Sequence, residues 1–423
     1  MRYYVIFSSI IEGIGGSMIY QLNKLRYYKA KGYGVSLFHF DQNCKNIEIE
    51  DLLQYKNNIC KDFEIHPSLL SIKRRNNVIQ YIKNIIDYDN QYELIIESDG
   101  FTTLFWGEYV ASVLKAKHIV FILAENVIIR EKSTFEFCYF KLQRKELFGI
   151  SPLSTQTLFS KWINLPIERA SSLKAYCSNC LADIDYLSKH TIPKSDYVIG
   201  TIGRLDKPYL LPILKEIAKF VNTYSDYSFT ILLIGGTKDK RRLNSIQQLF
   251  RNNSNVNLYI TGDLYPIPVE LVKLANIYIS KAGSAYVSKK LGIPTIKCGL
   301  QNSLPISIEN YGDTPISEEC NTIINVQDVL KETLFKGKYP KIEVNFDSEE
   351  ENKVDFKEHD LAISLSNPNR DYYDVIGKNR YNKYKMGLYK SFILLFGTSF
   401  YIKIRKFIMD VKFNFLSHNI CGK

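Results

Sequence analysis

Between Tyr197 and Lys297, short runs rich in Val and Ile alternate with stretches of helical periodicity, and few folds accommodate that pattern. The spacing predicts strands at 197–202, 229–234, 256–260, 276–279 and 294–297. Helices are expected between them at 209–222, 238–251, 267–274 and 284–291. The first half repeats the alternation: a strand at Tyr3–Phe7, a helix at Ser17–Ala30, a strand at Val35–Phe40 and further strands near Leu94 and Ile119. Apolar runs bounded by Gly or Asp and separated by helical patterns point to parallel sheets buried on both faces, so the fold class is α/β.

A chain of 423 residues that is 45% apolar can fill two cores. The polar, proline-bearing stretch His190–Asp196 separates a first domain, 1–190, from a second, 197–340. The run FDSEEENKVDFKEHD reads as a solvated loop within an acidic linker, 341–377, and a basic aromatic tail occupies 378–423. From Glu131 to Lys174 the alternation lapses, after which SLKAYCSN reads as one more strand.

Eight cysteines scattered through the chain suggest reduced thiols rather than a disulfide framework. Cys177 and Cys180 form one CxxC, but zinc would want a second pair or nearby histidines, so both are read as structural. The opening MRYYVIFSSIIEGIGG has too short an apolar run for a secretory signal, which leads us to expect a cytoplasmic protein. No apolar stretch reaches the length of about 20 residues that a membrane span requires.

Chemistry is expected at the strand ends. Gly13, Gly15 and Gly16 follow the first strand and open a helix, where backbone N–H groups can meet a polar ligand or simply form a tight turn. A dinucleotide fingerprint would need glycine where Met18 stands, although Asp41 ends the second strand as a ribose-binding acid would. Asp99 and Glu125 follow the strands near Leu94 and Ile119, where each is either a base for a substrate hydroxyl or an ordinary helix cap. In the second half, VIGTIGRLDKP sets Arg204 and Lys207 in a loop after a strand, two cations able to hold a diphosphate. Gly235, Gly236 and Gly262 end the next two strands, and Gly283 and Ser284 stand at a helix start.

These segments, in this order, resemble the nucleotide-binding half of GT-B glycosyltransferases over roughly Val198 to Pro305. GRLDK is similar to the donor-diphosphate loop of glycosyltransferase family 4, and ISKAGSAYVSKKLGIPTI to a segment of the peptidoglycan N-acetylglucosaminyltransferase family. The resemblance implies two Rossmann-like domains facing across a cleft, with the acceptor on the first and the donor on the second. It also implies that Arg204 and Lys207 contact the donor phosphates and that Gly262, Asp263 and Leu264 meet the base. Gly283 and Ser284 would complete the diphosphate cradle, and Gln301 and Asn302 would touch the sugar. One departure stands out: both families place a ribose-binding glutamate in the helix after the glycine turn, where this chain has Val287 and Lys289. No EX7E pair stands by the glycine turn, which leaves the stereochemistry open, and no DxD pair stands in a context that calls for a metal.

The formal charge of +11 sits mostly in the tail, where Lys378–Lys423 holds ten Lys or Arg against one Asp. Phe, Tyr, Ile and Leu interleave those cations, a pattern that suits a helix lying on an anionic bilayer or packing back on the body with its charges in solvent. No nucleic-acid-binding module surrounds them. The expected activity is transfer of a sugar from a nucleoside-diphosphate donor, itself a substrate, to a growing lipid-linked bacterial surface glycan (capsule, O-antigen or exopolysaccharide). No cofactor is expected. The tail would allow a peripheral place on the inner face of the plasma membrane. The alternatives are a nucleotide-sugar 2-epimerase of the same fold and a nonenzymatic nucleotide-sugar-binding homologue.

Overall fold

A computed structural model of the chain describes residues 2–9, 11–40, 49–89, 93–101, 103–299, 304–309, 323–347, 352–366, 371–378 and 383–420, with side chains of the last helix described for 387–405. The chain divides into two compact units. One comprises Met1–Glu12, Lys24–Ala175 and Phe356–Lys423, the other Gly13–Asn23 and Tyr176–Asp355.

The first unit is built on β1 (Arg2–Phe7), α1 (Gly16–Ala30, whose first turns belong to the other unit), β2 (Gly34–Phe38), α2 (Ile72–Ile85), β3 (Glu93–Ser98), α3 (Leu104–Leu114), β4 (Lys117–Ile122), α4 (Lys132–Gln143), β5 (Leu147–Gly149) and α5 (Pro152–Phe159). Its five strands are parallel in the order β2-β1-β3-β4-β5. Val5, Phe7, Leu94 and Ile96 bury one face against Val78, Ile82, Trp106 and Val110.

The segment 131–174, where the alternation lapses in sequence, contains α4, β5 and α5. Phe137, Cys138 and Leu142 bury one side of α4, while Phe135, Tyr139 and Phe140 pack partly buried around them, so no clean apolar stripe marks the helix in sequence. The strand expected at SLKAYCSN does not form: Ser172 makes an isolated bridge to Gly149, and the chain then runs irregularly to Cys180.

The second unit carries β6 (Leu181–Ala182), β7 (Tyr197–Ile202), α6 (Leu210–Thr223), β8 (Phe229–Ile234), α7 (Lys240–Phe250), β9 (Val256–Ile260), β10 (Ile267–Pro268), α8 (Val269–Lys273), β11 (Ile277–Lys281), α9 (Gly283–Lys290), β12 (Thr295–Cys298), β13 (Pro305–Glu309) and α10 (Val326–Leu334). The main sheet runs β13-β12-β11-β7-β8-β9, parallel except for β13. All six residues of β8 are buried, as a central strand covered on both faces requires. α6 presents Leu210, Ile213, Leu214, Ile217 and Val221 to that core at three- and four-residue spacing. Gly200 is needed for close packing, since a Cβ there would lie 2.2 Å from the Tyr278 ring.

The acidic run read as a solvated loop becomes structured at its end. Phe356 is fully buried and opens α11 (Lys357–Leu365), whose His359 and Ile363 are buried too. Asp360 is not solvated either: it accepts hydrogen bonds from Tyr27 at 2.6 Å and Tyr28 at 2.9 Å. Three buried positions at i, i+3 and i+7 make this an amphipathic helix, but the intervening charges mask the stripe in sequence. The chain closes with α12 (Lys383–Ile420), broken at Gly397, where φ is 78°. Among the described residues, no helix is long and apolar enough to cross a membrane.

Candidate functional site

The strand order of the second unit's sheet reverses between the parallel neighbours β7 and β11, the first and fourth of its main strands, giving the doubly wound order in which ligands bind beyond the carboxyl ends at the reversal. The loops after β7, β8 and β9 are tied together there. Gly203 N–H donates to Ile234 O at 2.9 Å, Leu205 N–H to Gly236 O at 2.9 Å, and Gly236 N–H to the Asp263 carboxylate at 2.9 Å. Gly235 is obligatory: its φ is 147°, and a Cβ would lie 2.1 Å from the Gly203 carbonyl oxygen. Gly262, with φ of 76°, bridges back to Gly235, and Leu264 packs against the neighbouring core. Asp263 therefore acts first as a brace of the Gly236 loop.

Arg204 and Lys207 are both exposed on the β7 loop. Arg204 is 50% exposed, and its Nε lies 3.4 Å from an Asp206 carboxylate about as exposed as itself, a weak pairing that leaves the guanidinium able to take an anion. The loop is held from behind by Arg242, whose Nε donates to Leu205 O at 3.1 Å and whose Nη2 donates to Lys207 O at 2.7 Å. Sequence reading missed Arg242 because it lies on α7, with only its position in the first turn as a signal. It also missed Lys281, the last residue of β11. The Lys281 ammonium sits 5.8 Å from the Tyr209 ring centre, and the Tyr209 hydroxyl in turn is 3.7 Å from where a Cβ on Gly203 would lie.

At the start of α9, Ala282 adopts φ 52°, a left-handed conformation unusual for a residue with a Cβ, and no side chain caps the helix. Ser284 Oγ is 3.3 Å from the position of a Gly203 Cβ, which places the β7 loop and the α9 start side by side. Gly283 serves a second purpose. A Cβ there would lie 3.0 Å from the Cys177 carbonyl oxygen, while one on Gly16 would lie 3.4 Å from Cys177 Cβ. Gly16 and Gly283 thus both admit the Cys177 segment, so part of the space read as a ligand cradle is filled by the chain itself. A Cβ on Gly15, by contrast, would meet nothing within 4 Å.

No carboxylate replaces the ribose-binding glutamate on α9. Val287 is wholly buried in the core, and Lys289 pairs with Glu309 at 2.7 Å. Burial pushes the Glu309 carboxyl up, but the hydrogen bond from Lys289 and the charge of Lys297 hold it below the usual range. Because β13 is antiparallel, Glu309 sits opposite Thr295, at the amino edge of the sheet and away from the reversal. Gln301, Asn302 and Asp41 lie outside the described residues.

In the first unit the order β2-β1-β3 places the reversal between β1 and β3. Ser8, one residue past β1, donates through Oγ to Asp99 Oδ2 at 2.8 Å. α3 begins at Leu104 with Thr103 as its N-cap, so Asp99 does not cap that helix. Glu125 lies half-buried in a turn after β4, one strand further from the reversal. Ser8 carried no sequence signal beyond following a strand.

Beneath Asp99 is a buried ionic network. His118 Nδ1–H donates to Glu108 Oε2 at 2.7 Å, and Lys141 Nζ donates to the same oxygen at 2.8 Å and lies 2.6 Å from Glu146. Ser98 Oγ is 3.0 Å from His118 Nε2, completing a Ser–His–Glu array of the kind hydrolases use. Ser98, His118 and Glu108 are all sealed from solvent, so this array holds β3, α3 and β4 together and meets no substrate. Burial raises the Glu108 carboxyl, but Lys141 and His118 overcome it and bring it to about 2; burial keeps Glu146 above the ordinary carboxylate range despite Lys141.

Burial, reinforced by the charge of Lys141, pushes His118 from 6.5 down to about 4 even though Glu108 opposes the shift. As pH falls below 6.5 the unfolded chain takes up this proton before the folded one does. The contribution to stability is therefore complete above that pH and is lost toward about 4. The expected slope is about 1.4 kcal/mol per pH unit. His66 and His359 are shifted down for the same leading reason, burial, each to about 3. Thermal melts from pH 7.5 to 5 should fall steeply for the wild type and less steeply for His118→Gln. Parallel curves would remove His118 from the account. Among the described residues, no group of three or more His, Cys, Asp or Glu could hold a metal ion.

No protein-family model matches the chain, and no curated protein matches it. Solved structures do. A glycosyltransferase from Rickettsia africae is similar at 14% identity and a TM-score of 0.51, covering 70% of this chain and 79% of that one. HepE from Anabaena, in complex with UDP and glucose, is similar at 12% identity and a TM-score of 0.45, covering 70% of this chain and 80% of that one. A UDP-GlcNAc 2-epimerase from Neisseria meningitidis bound to UDP-GlcNAc is similar at 16% identity and a TM-score of 0.41, covering 80% of this chain and 93% of that one. The fold is accordingly GT-B, with two Rossmann-like units in an α/β chain. That class contains glycosyltransferases and nucleotide-sugar epimerases.

Proposed function

We propose that the protein transfers a sugar from a nucleoside-diphosphate donor to a glycan acceptor, one that is lipid-linked and belongs to a bacterial surface polysaccharide. What supports this reading is that Arg204 and Lys207 follow β7 and Lys281 ends β11, so three cations flank the β7–β11 reversal, where α9 starts without a side-chain cap. Loss of a nucleoside diphosphate develops negative charge on the leaving group, and cations fixed at a strand edge stabilise it. The positive end of the α9 dipole adds to the same field. Asp99, oriented by the Ser8 hydroxyl, takes the part of base toward the acceptor hydroxyl, with Glu125 as the second carboxylate at that edge.

The absence of a glutamate at Val287 and Lys289 predicts weaker discrimination for the ribose than a carboxylate would give. Titration calorimetry with UDP, GDP and ADP tests the donor loop. Arg204→Ala should weaken the best of them by about tenfold, the scale of one exposed charge-assisted hydrogen bond. Equal affinity would remove Arg204 from the site. Incubation with the donor sugar alone separates the rival chemistry, since an epimerase would return a 2-epimer without acceptor.

A further inference from the structure

The long terminal helix has two apolar sides, and the first unit covers one of them. Ile393, Tyr401 and Ile402 pack against the core of β1, α2 and α3. Thr398 accepts from Arg74 Nη2 at 2.8 Å, and Arg405 donates to Glu64 O at 2.8 Å, which anchors the helix beyond the Gly397 break as Ile393 does before it. On the other side Leu388 is 70% exposed, Leu394 87%, Leu395 73% and Phe396 57%. Phe392 and Phe400 stack across the break with ring centres 5.9 Å apart, and Phe396 packs tilted between them, so the elbow is braced by aromatic contact.

The exposed surface extends to a second element. Ile72, at the first turn of α2 and 68% exposed, lies two residues from the Arg74 that holds Thr398. Lys73 beside it, and Lys390, Lys403 and Arg405 on α12, carry the charge around it, and no acidic residue occurs between Val375 and Met409. Scattered exposed leucines need no explanation, but a cluster of them on one helix bordered mainly by cations does; Asp62, an acid that reaches this border, is already held by Arg74 at 2.6 Å.

We infer that α12 and the start of α2 form a docking surface for an anionic lipid bilayer, with Leu388, Leu394, Leu395 and Phe396 entering the headgroup–acyl boundary and the surrounding cations meeting the phosphates. The excess of cations around the exposed side chains selects this occupant. A second copy of the chain would bring the same cations face to face, whereas an anionic bilayer neutralises them while burying the leucines. This deepens the lipid-linked part of the proposed function, but its physical basis is the surface itself, so donor binding can hold where docking fails.

The test is co-sedimentation of the full chain with vesicles of phosphatidylglycerol and phosphatidylcholine, against phosphatidylcholine alone, at low and high salt. The wild type should bind the anionic vesicles and be released by salt. The double variant Leu394→Glu/Leu395→Glu should bind at least about tenfold more weakly, given the apolar area removed. An unchanged melting curve and unchanged UDP affinity would show that this variant is folded with its donor site intact. Wild-type protein that stays in solution, equal binding by the variant, or a wild-type dimer that the variant splits while neither binds vesicles would each overturn the inference.

Discussion

A Glu108→Ala chain should lose roughly 3 to 5 kcal/mol of stability, the range seen when one partner of a buried ion pair is removed. Glu108 is the acceptor at the centre of the first unit. Lys141 and His118 donate to one of its oxygens, and the Tyr373 N–H donates to the other at 2.6 Å. Truncation leaves an ammonium with Glu146 as its remaining carboxylate, a backbone N–H without an acceptor and a cavity. For a unit of this size the melting temperature should drop by roughly 10 °C or more. Calorimetry should place the loss in one of two transitions, because the second unit does not contain this network. Glu108→Gln keeps the shape and should fall between the two. A Glu108→Ala chain that melts within a degree or two of the wild type would show that solvent or repacking satisfies the network.

Asp99→Asn should lower turnover by about 10²- to 10⁴-fold, the range of a general base, while leaving UDP affinity unchanged. The amide preserves the size of the side chain and can still accept from Ser8 Oγ, so the substitution removes basicity with little change in packing. Glu125→Gln is the matching control, since Glu125 lies one strand further from the β1–β3 reversal and is expected to matter less. The measurement is UDP release from donor sugars in the presence of a bacterial lipid extract. If Glu125→Gln abolishes release while Asp99→Asn does not, the two residues exchange roles.

Strands β7, β8 and β9 were legible in sequence to the residue, because each is a short apolar run closed by Gly or Thr-Gly; β7 and β8 are central parallel strands and β9 is the parallel edge strand beside them. The glycine loops and Arg204 were legible for the same reason, being local to those strand ends. What escaped was set by distance along the chain. Arg242 braces Lys207 from 35 residues away, and Ser8 reaches Asp99 across 91. The crossing of Cys177 over Gly16 and Gly283 could not be read at all, since glycine at a helix start looks the same whether a ligand or a backbone passes it. β13 was missed because it runs against the others, and α11 because the charges between its buried positions hide their spacing.

The return of Phe356–Lys423 to the first unit bears on how the chain is made. Lys24 is fully buried and lies over the Phe356 ring at 4.7 Å. Its ammonium donates to His359 Nδ1, and His359 Nε2 donates in turn to Lys174 O at 2.9 Å. On the ribosome Tyr4, Tyr28 and Glu97, which also face this lysine, emerge early, but the Phe356 ring and the His359 imidazole are missing until more than 330 further residues have been synthesised. The half that is begun first is therefore finished last, and nascent chains arrested before Phe356 would present an unclosed Lys24 site.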